Sequence, residues 1–323
     1  MQVRHYNKLM IRTFDILVAG EINPDLILTG DVTPEFGQVE KLVDSAILTI
    51  GSSSAIFACG AARLGLRVAF IGVCGDDTFG RFILDELSGR GVDITNVIVD
   101  PTLQTGLSVI LSRPIARVQG DRAILTNLGA IDRLRAEQVT DALLQQARHL
   151  HIASYFLQTA LQPGLPDLFQ RAHNLGLTIS LDTNWDPSGA WHALDELLDL
   201  VDVFLPNANE AIALTGASTI EVAAEALGRK CGLVAVKLGA RGALACRGEE
   251  VARANAFPVQ VVDTVGAGDS FDAGFLSGWL NGWKLEKALQ LGAVCGSLST
   301  RAAGGTSAQP GLDEAIKYVP SAG

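Results

Sequence analysis

The densest group of chemically capable residues is the string Asp263-Thr-Val-Gly-Ala-Gly-Asp-Ser-Phe-Asp-Ala-Gly-Phe275. Gln260–Val262 ahead of it reads as a strand and Gly266-Ala267-Gly268 as a turn. From Asp269 onward the chain reads as a helix burying Phe271, Phe275 and Trp279 at i, i+4 spacing. Glycines let backbone N–H groups approach a ligand closely, and a helix start adds partial positive charge. Gly266, Ala267 and Gly268 would together form a hole for a developing anion, such as a phosphoryl group in transfer. Asp269 stands at its mouth, where a carboxylate can orient a hydroxyl and take its proton late in the transfer. The bland alternative is a glycine turn with an aspartate capping a helix. The length of the string and its strand–turn–helix setting favour the chemistry.

Other polar groups stand at the ends of apolar runs. Asn23-Pro-Asp25 suits a turn, and a buried Asp25 could also accept two hydroxyl hydrogen bonds from a polyol. Asn184, in Asp182-Thr-Asn-Trp-Asp186, is a turn residue or an active-site group at the edge where α/β ligands gather. Asn207 followed by Glu210 is a helix N-cap pattern. Val236-Lys-Leu-Gly-Ala-Arg-Gly-Ala243 reads as a hairpin in which the Lys237 charge could reach a phosphate. Arg113, Arg117 and Arg122 suit a solvated hairpin, or one of them holds a substrate phosphate or carboxylate. His149 and His151 bracket a strand and read as structural.

The elements that must position these groups alternate. Phe14–Val18, Val68–Ile71, His151–Ala153, Thr178–Leu181, Val203–Leu205 and Leu233–Val236 predict buried strands. Asp77–Arg90, Ala136–Arg148 and Ile220–Lys230 predict helices between them. The alternation argues for a mostly parallel sheet with helices on both faces, an α/β fold. Asp25–Leu48 and Ile94–Gly129 break the rhythm and read as antiparallel strands, a lid within one domain spanning residues 1–323.

Composition narrows the function. Hydrophobic residues make up 48% and charged residues 19% of 323, enough for a sizeable core. A net charge of −10 without a Lys/Arg-rich run disfavours nucleic acid as the main partner, and none is expected. The five cysteines form no C-x-x-C pair, which argues against zinc or a disulfide framework and fits a reducing cytoplasm. Met1–Arg12 lacks the apolar core of a signal peptide. Ser45–Ala62 reads as a loop entering a buried helix rather than a membrane span, so no membrane partner is expected. Gly20-Glu-Ile-Asn does not supply the G-x-G-x-x-G of a nicotinamide enzyme.

The 263–275 string is similar to the C-terminal signature of the ribokinase-like (pfkB) carbohydrate kinases, and the resemblance runs from Phe14 to Leu312. It implies a Rossmann-like three-layer domain with a small β-sheet lid. It also implies an ATP-dependent kinase acting on a hydroxyl of a small sugar-like substrate, with Asp269 as base and Gly266, Ala267 and Gly268 as anion hole. Asn207 and Glu210 match the family's N-x-x-E, whose glutamate positions Mg2+ through waters. Lys237, Gly239 and Gly242 match the turn that holds ATP. Asn23 and Asp25 match the element that meets substrate. Gly51, Ser52, Ser53 and Ser54 resemble the family's substrate loop. Ser52 replaces its second glycine, and Ile56 stands where relatives carry an asparagine expected to face the sugar. Asp263 and Arg301–Ala308 resemble a potassium-binding loop of some relatives. The open edges of a lid invite a second copy, hence a homodimer. A nucleoside kinase and a non-catalytic sugar-binding sensor are the alternatives; the intact Asp269 and its glycines speak against the sensor.

Overall fold

Ile16 and Val18 enter one apolar cluster while Leu17 and Ala19 enter another, so the first strand, β1 (Ile16–Ala19), is covered on both faces. A strand with two buried faces carries no polar alternation, which is why such runs are continuously apolar. The computed structural model describes residues 12–113, 122–191 and 194–320. After β1 come β2 (Pro24–Thr29), β3 (Ser45–Ile50), α1 (Ser53–Arg63), β4 (Val68–Ile71), β5 (Val73–Gly75) and α2 (Thr78–Gly89). Then follow β6 (Ile98–Asp100), β7 (Leu107–Ser112), β8 (Arg122–Asn127), α3 (Asp141–Leu144), β9 (His149–Ile152), α4 (Leu165–Asn174) and β10 (Thr178–Leu181). The chain continues through α5 (Asp195–Leu198), β11 (Val203–Phe204), α6 (Ala208–Thr215), α7 (Ile220–Lys230), β12 (Val234–Lys237), β13 (Ala243–Arg247) and β14 (Glu250–Ala254). It ends with α8 (Ala267–Leu280), α9 (Leu285–Ser299) and α10 (Leu312–Ala315).

The central sheet has the order β14-β13-β12-β11-β10-β9-β1-β4. The pairings from β12 to β4 are parallel; β13 and β14 add an antiparallel edge. Helices α1, α2, α8 and α9 cover one face, and α3, α4, α5 and α7 the other. This is the expected α/β sandwich. The strands β1, β9, β10 and β12 all end on one side, and the loops that follow them carry Glu21, Ser154, Asp182, Asn184 and Gly239.

The lid is a separate sheet, β3-β2-β7-β8. Its two outer pairings are antiparallel, but β2 and β7 run parallel, which corrects the expectation of an all-antiparallel lid. These strands come from two distant segments and join edge to edge rather than as one meander. Residues 94–106 do not belong to it, because β6 pairs with β5 instead.

Two further expectations change. Ala136–Arg148 is not one helix but a 3-10 turn, Ala136–Gln138, followed by α3. Gln138 accepts from the Arg135 N–H and Thr140 caps Leu143, and such local bonds compete with a continuous helix. Gln260–Val262 is not a strand: Val261 and Val262 are more than half exposed, and the Val262 and Asp263 N–H groups both donate to Thr300 O.

Candidate active site

Helix α8 begins at Gly266, whose φ of +69° and contact with Gly305 both require glycine; a Cβ there would lie 2.6 Å from the Gly305 Cα. Asp269 is in the first turn of α8, where backbone N–H groups lack intrahelical acceptors. Its carboxyl is 8% exposed. Burial raises it to about 7, with the Asp182 charge adding to the rise; Lys237 and a hydrogen bond from Ser53 oppose it.

Three acids meet here from two elements. The carboxylates of Asp182, Asp269 and Asp272 lie within 4.8 Å of one another. Lys237, at the end of β12, donates to Asp182 at 2.7 Å and Asp272 at 2.9 Å. Burial works against the Lys237 ammonium, but Asp182, Asp272 and Glu210 outweigh it and raise its proton affinity. Burial also disfavours the Asp182 charge, yet Lys237 and a hydrogen bond from Asp272 hold that carboxyl below its ordinary value. Asp272 is pushed well up by burial. Burial and the shared lysine thus push the two acids apart, Asp182 toward its charged form and Asp272 toward its protonated one. The lysine chain also packs 3.6 Å from the position of a Cβ on Gly268, which puts its charge behind the anion hole.

A cleft of about 680 Å³ opens beside this unit. The sequence-predicted Asn207, Lys237, Gly239, Gly242, Ala267 and Gly268 all line it, and Phe257 and Val259 form an apolar wall. Glu210 lies behind Asn207, and the two form a full capping box for α6. Glu210 accepts from the Asn207 N–H at 2.8 Å, and burial, together with Asp182, raises it to about 7.

Residues 51–54, with Asn23 and Asp25, are the expected substrate-binding group, and Ser53 among them faces Asp269. Asn23 and Asp25 are buried at the start of β2, and Gly51 packs against them; a Gly51 Cβ would lie 2.0 Å from Asp25 Oδ1. Burial raises Asp25 to about 7 against the pull of Arg122. Ser52 sits at φ 65°, a conformation suited to the glycine it replaces. It is held by donating to Glu21 O at 2.7 Å and accepting from the Ala55 N–H. Ser53 and Ser54 open α1, Ser53 facing Asp269 and Ser54 bonded to Glu21.

Ile56 corrects an expectation. It is 3% exposed and packs against Gly266 and Gly305, so it supports the turn before α8 and is not an open, cavity-facing side chain. Asp263 accepts from the Val265 N–H at 3.0 Å and the Gly304 N–H at 2.9 Å, tying the turn before α8 to the 301–308 loop. Arg122 lines the cleft, Arg113 donates to Thr33 Oγ1 at 2.6 Å, and Arg117 lies outside the described residues. His149 and His151 are buried and share the Ser180 hydroxyl; burial holds both neutral, a structural role as expected.

Sequence reasoning missed Glu21, Ser154 and Asp272. Asp272 had a legible signal, since it lies one helical turn from Asp269 on the same face.

These groups make stability depend on pH. The ordinary values are 3.8 for Asp25, Asp269 and Asp272 and 4.5 for Glu210, and all four are raised. Between about pH 4 and 7 the folded chain therefore holds protons that the unfolded chain has released, and stability falls as pH rises. His149 and His151, buried neutral, push the other way below about pH 6.5, but the carboxyls outnumber them. We expect the melting temperature of ligand-free protein to fall from about pH 5.5 to about pH 8. A rise over that range, by differential scanning fluorimetry, contradicts the assignment.

Residues 14–311 match the pfkB family carbohydrate kinase family. The chain is 31% identical to 2-dehydro-3-deoxygluconokinase of Bacillus subtilis (strain 168), over 88% of this chain and 90% of that one. It is also 31% identical to ATP-dependent ribose-1-phosphate kinase of Halopiger xanaduensis, over 94% and 97%. Among solved structures it is similar to an E. coli protein named as ribokinase II, in complex with ATP and Mg2+, with a TM-score of 0.82 and 25% identity over 95% of this chain and 99% of that one. Adenosine kinase from Sinorhizobium meliloti gives a TM-score of 0.82 and 27% identity over 94% and 99%. A ribokinase-like fold, with a glycine turn opening α8 and a buried acid in its first turn, thus meets a family match over nearly the whole length: the chain belongs to the pfkB family and is a carbohydrate kinase.

Proposed function

We propose that the chain transfers the γ-phosphoryl group of ATP to a hydroxyl of a small sugar or sugar acid, with Asp269 as the base. One observation carries this. Asp269 stands between the substrate loop, through Ser53, and the nucleotide cleft, through Gly268, with a carboxyl that titrates near 7.

The acceptor lies against Asn23, Asp25, Gly51, Ser52, Ser53 and Ser54, whose buried polar groups suit a polyol. ATP occupies the cleft, its base against the apolar wall of Phe257 and Val259 and its phosphates over Asn207, Lys237, Gly239 and Gly242. Asp269 orients the attacking hydroxyl and takes its proton. The N–H groups from Gly266 to Gly268 and the Lys237 charge behind them receive the developing negative charge. The residues present fit a nucleotide-bound Mg2+: Glu210 is a buried oxygen donor at the phosphate end, and a cation nearby offsets the burial that now favours its proton. Bound there, Mg2+ supplies charge neutralisation of the phosphates. Asp263 and the 301–308 loop it bonds are the candidate monovalent-cation site, such as for potassium; the buried Thr306 hydroxyl in that loop has no hydrogen-bond partner among the described residues.

The acceptor is chosen by a coupled ADP-release screen over ribose, ribose 1-phosphate, 2-dehydro-3-deoxygluconate, other sugars and sugar acids, and adenosine, with Asp269→Asn as blank. Adenosine as the best acceptor would select the nucleoside-kinase alternative. ADP release by none of them would sink the kinase reading in favour of the sensor.

The lid supports a homodimer. Its edge strands expose Ile47 (42%) on β3 and Ile124 (52%) and Leu125 (62%) on β8, where open apolar edges favour pairing. Light scattering after gel filtration should give twice 34.0 kDa, and Leu125→Asp should give the monomer. A monomeric wild type contradicts this. Among the described residues no single helix is long and apolar enough to cross a membrane. That, with five buried free thiols, supports a place in the reducing cytoplasm.

A further inference from the structure

The carboxylate oxygens of Asp182, Asp269 and Asp272 come close enough together to share one cation, and the chain supplies a cation itself. Lys237 Nζ donates to Asp182 Oδ2 at 2.7 Å and to Asp272 Oδ2 at 2.9 Å. Among the described residues its ion pairs are with these two acids and not with Asp269. The chemistry proposed above gives Lys237 and Asp269 their parts but none to Asp182, which is 1% exposed and carries a charge that is costly to bury.

Asp182 is held at both oxygens. Lys237 takes Oδ2, and the Asn184 N–H donates to Oδ1 at 3.1 Å. Asn184 is fixed in turn. It lies in the left-handed region at φ 53°, and its amide gives both hydrogens away, to Ser53 Oγ at 2.5 Å and to Ser154 Oγ at 2.7 Å. The turn that carries Asp182 is thereby anchored to α1 and to the loop after β9, with its carboxylate within 4.8 Å of Asp269.

Other charges act on Asp269 as well. Asp272 stands one helical turn on, but burial drives it toward its protonated form, so it adds little charge. Glu21, from the loop after β1, is fixed by the Ser54 hydroxyl at 2.5 Å and the Ser154 hydroxyl at 2.8 Å. Its repulsion of an Asp269 charge is weaker than that of Asp182, and so is the attraction from Lys237. Burial is the largest influence on Asp269; among the charges the largest is Asp182.

We propose that Asp182 is a positioning residue that acts through Asp269: its charge, pinned beside the base by Lys237 and the Asn184 N–H, draws the acceptor proton onto Asp269. In that step the acceptor oxygen bonds to the γ-phosphorus as the bond to ADP breaks. The hydroxyl hydrogen goes to Asp269 and then to water, and nothing is transferred to Asp182. The inference rests on Asp269 being the base.

The test measures kcat from about pH 5.5 to about pH 9 for wild type, Asp182→Asn, Asp272→Asn and Asp269→Asn, with saturating MgATP and the best acceptor among ribose, ribose 1-phosphate and 2-dehydro-3-deoxygluconate. Ionisations of MgATP and of the acceptor in solution are common to all four and cancel in the ratios. The rising limb of wild type should move about one unit toward acid in Asp182→Asn, because a like charge close to the base has gone. The ratio of variant to wild-type kcat should therefore be about five- to ten-fold larger at pH 5.5 than at pH 9. In Asp272→Asn the limb should stay within about 0.3 unit, since an amide replaces a group that already leans to its neutral form. A purely structural part for Asp182 would lower kcat by one factor at every pH. An unmoved limb in Asp182→Asn, or an equal shift in Asp272→Asn, would overturn the proposal. If Asp182→Asn fails to fold, Lys237→Met/Asp182→Asn takes its place. Its limb should still lie below that of wild type, because Asp182 acts on Asp269 more strongly than Lys237 does, and a limb at or above the wild-type position would overturn the proposal. Asp269→Asn separates the two failures. A limb that survives in it removes the base assignment itself, whereas a limb lost there but unmoved in Asp182→Asn removes only the role of Asp182.

Discussion

Asp269→Asn should lower kcat by about 10²- to 10⁴-fold at neutral pH while leaving MgATP affinity within a few-fold. The amide has the same shape, so the site stays assembled, but it cannot take a proton from the acceptor. Two side measurements distinguish this from damage to the fold. The wild-type rate should rise with pH through about 7 as Asp269 ionises, and the residual rate of the variant should lack that limb. The melting temperature of the variant at about pH 8 should be no lower than that of wild type, because a costly buried charge has been replaced by a neutral group. A variant with normal turnover, or one that loses MgATP binding in proportion, contradicts the role.

Lys237→Met carries the second large effect. Removing the ammonium leaves Asp182 as a buried carboxylate without its counter-ion, and breaking such a pair destabilises by about 3–5 kcal/mol. The same change withdraws positive charge from behind Gly268, where phosphoryl charge develops. The two consequences separate in Lys237→Met/Asp182→Asn, which removes one positive and one negative charge together and leaves Asp272, whose proton burial favours, an amide partner. Most of the stability should return in this double variant, read by chemical denaturation. Its kcat should stay about 100-fold or more below wild type, because the charge facing the phosphates is still missing. Recovery of both stability and turnover would make Lys237 purely structural.

The strands of the central sheet were legible because a two-faced buried strand is a continuous apolar run, as at Val68–Ile71 and Thr178–Leu181. The helix over Ile220–Lys230 was legible from its period. The lid was legible as an irregular region, but not its β2–β7 pairing, since nothing local encodes which of two distant edges meet. The 263–275 string was legible as a glycine turn, a helix start and an acid because the three are contiguous. Asn207 and Glu210 were ambiguous for a physical reason: the same spacing that caps α6 also holds the glutamate beside the cleft, and the structure shows the cap in full. Ile56 was misplaced because its facing depends on how α1 meets the Gly266 and Gly305 turns. The Ser154–Glu21 bond joins residues 133 positions apart, and the Ser53–Asn184 bond spans 131, so no local pattern announces them. The partners of Lys237 were hidden in the same way, since Asp182 and Asp272 reach it from different elements.

The most direct test is a crystal structure of the protein with the acceptor, Mg2+ and a non-hydrolysable ATP analogue. The account predicts the γ-phosphate over the N–H groups of Gly266 to Gly268, with one acceptor hydroxyl within about 3 Å of Asp269 and in line with the bond to be broken. A nucleotide seated away from α8, or an acceptor with no hydroxyl able to reach Asp269, would contradict it.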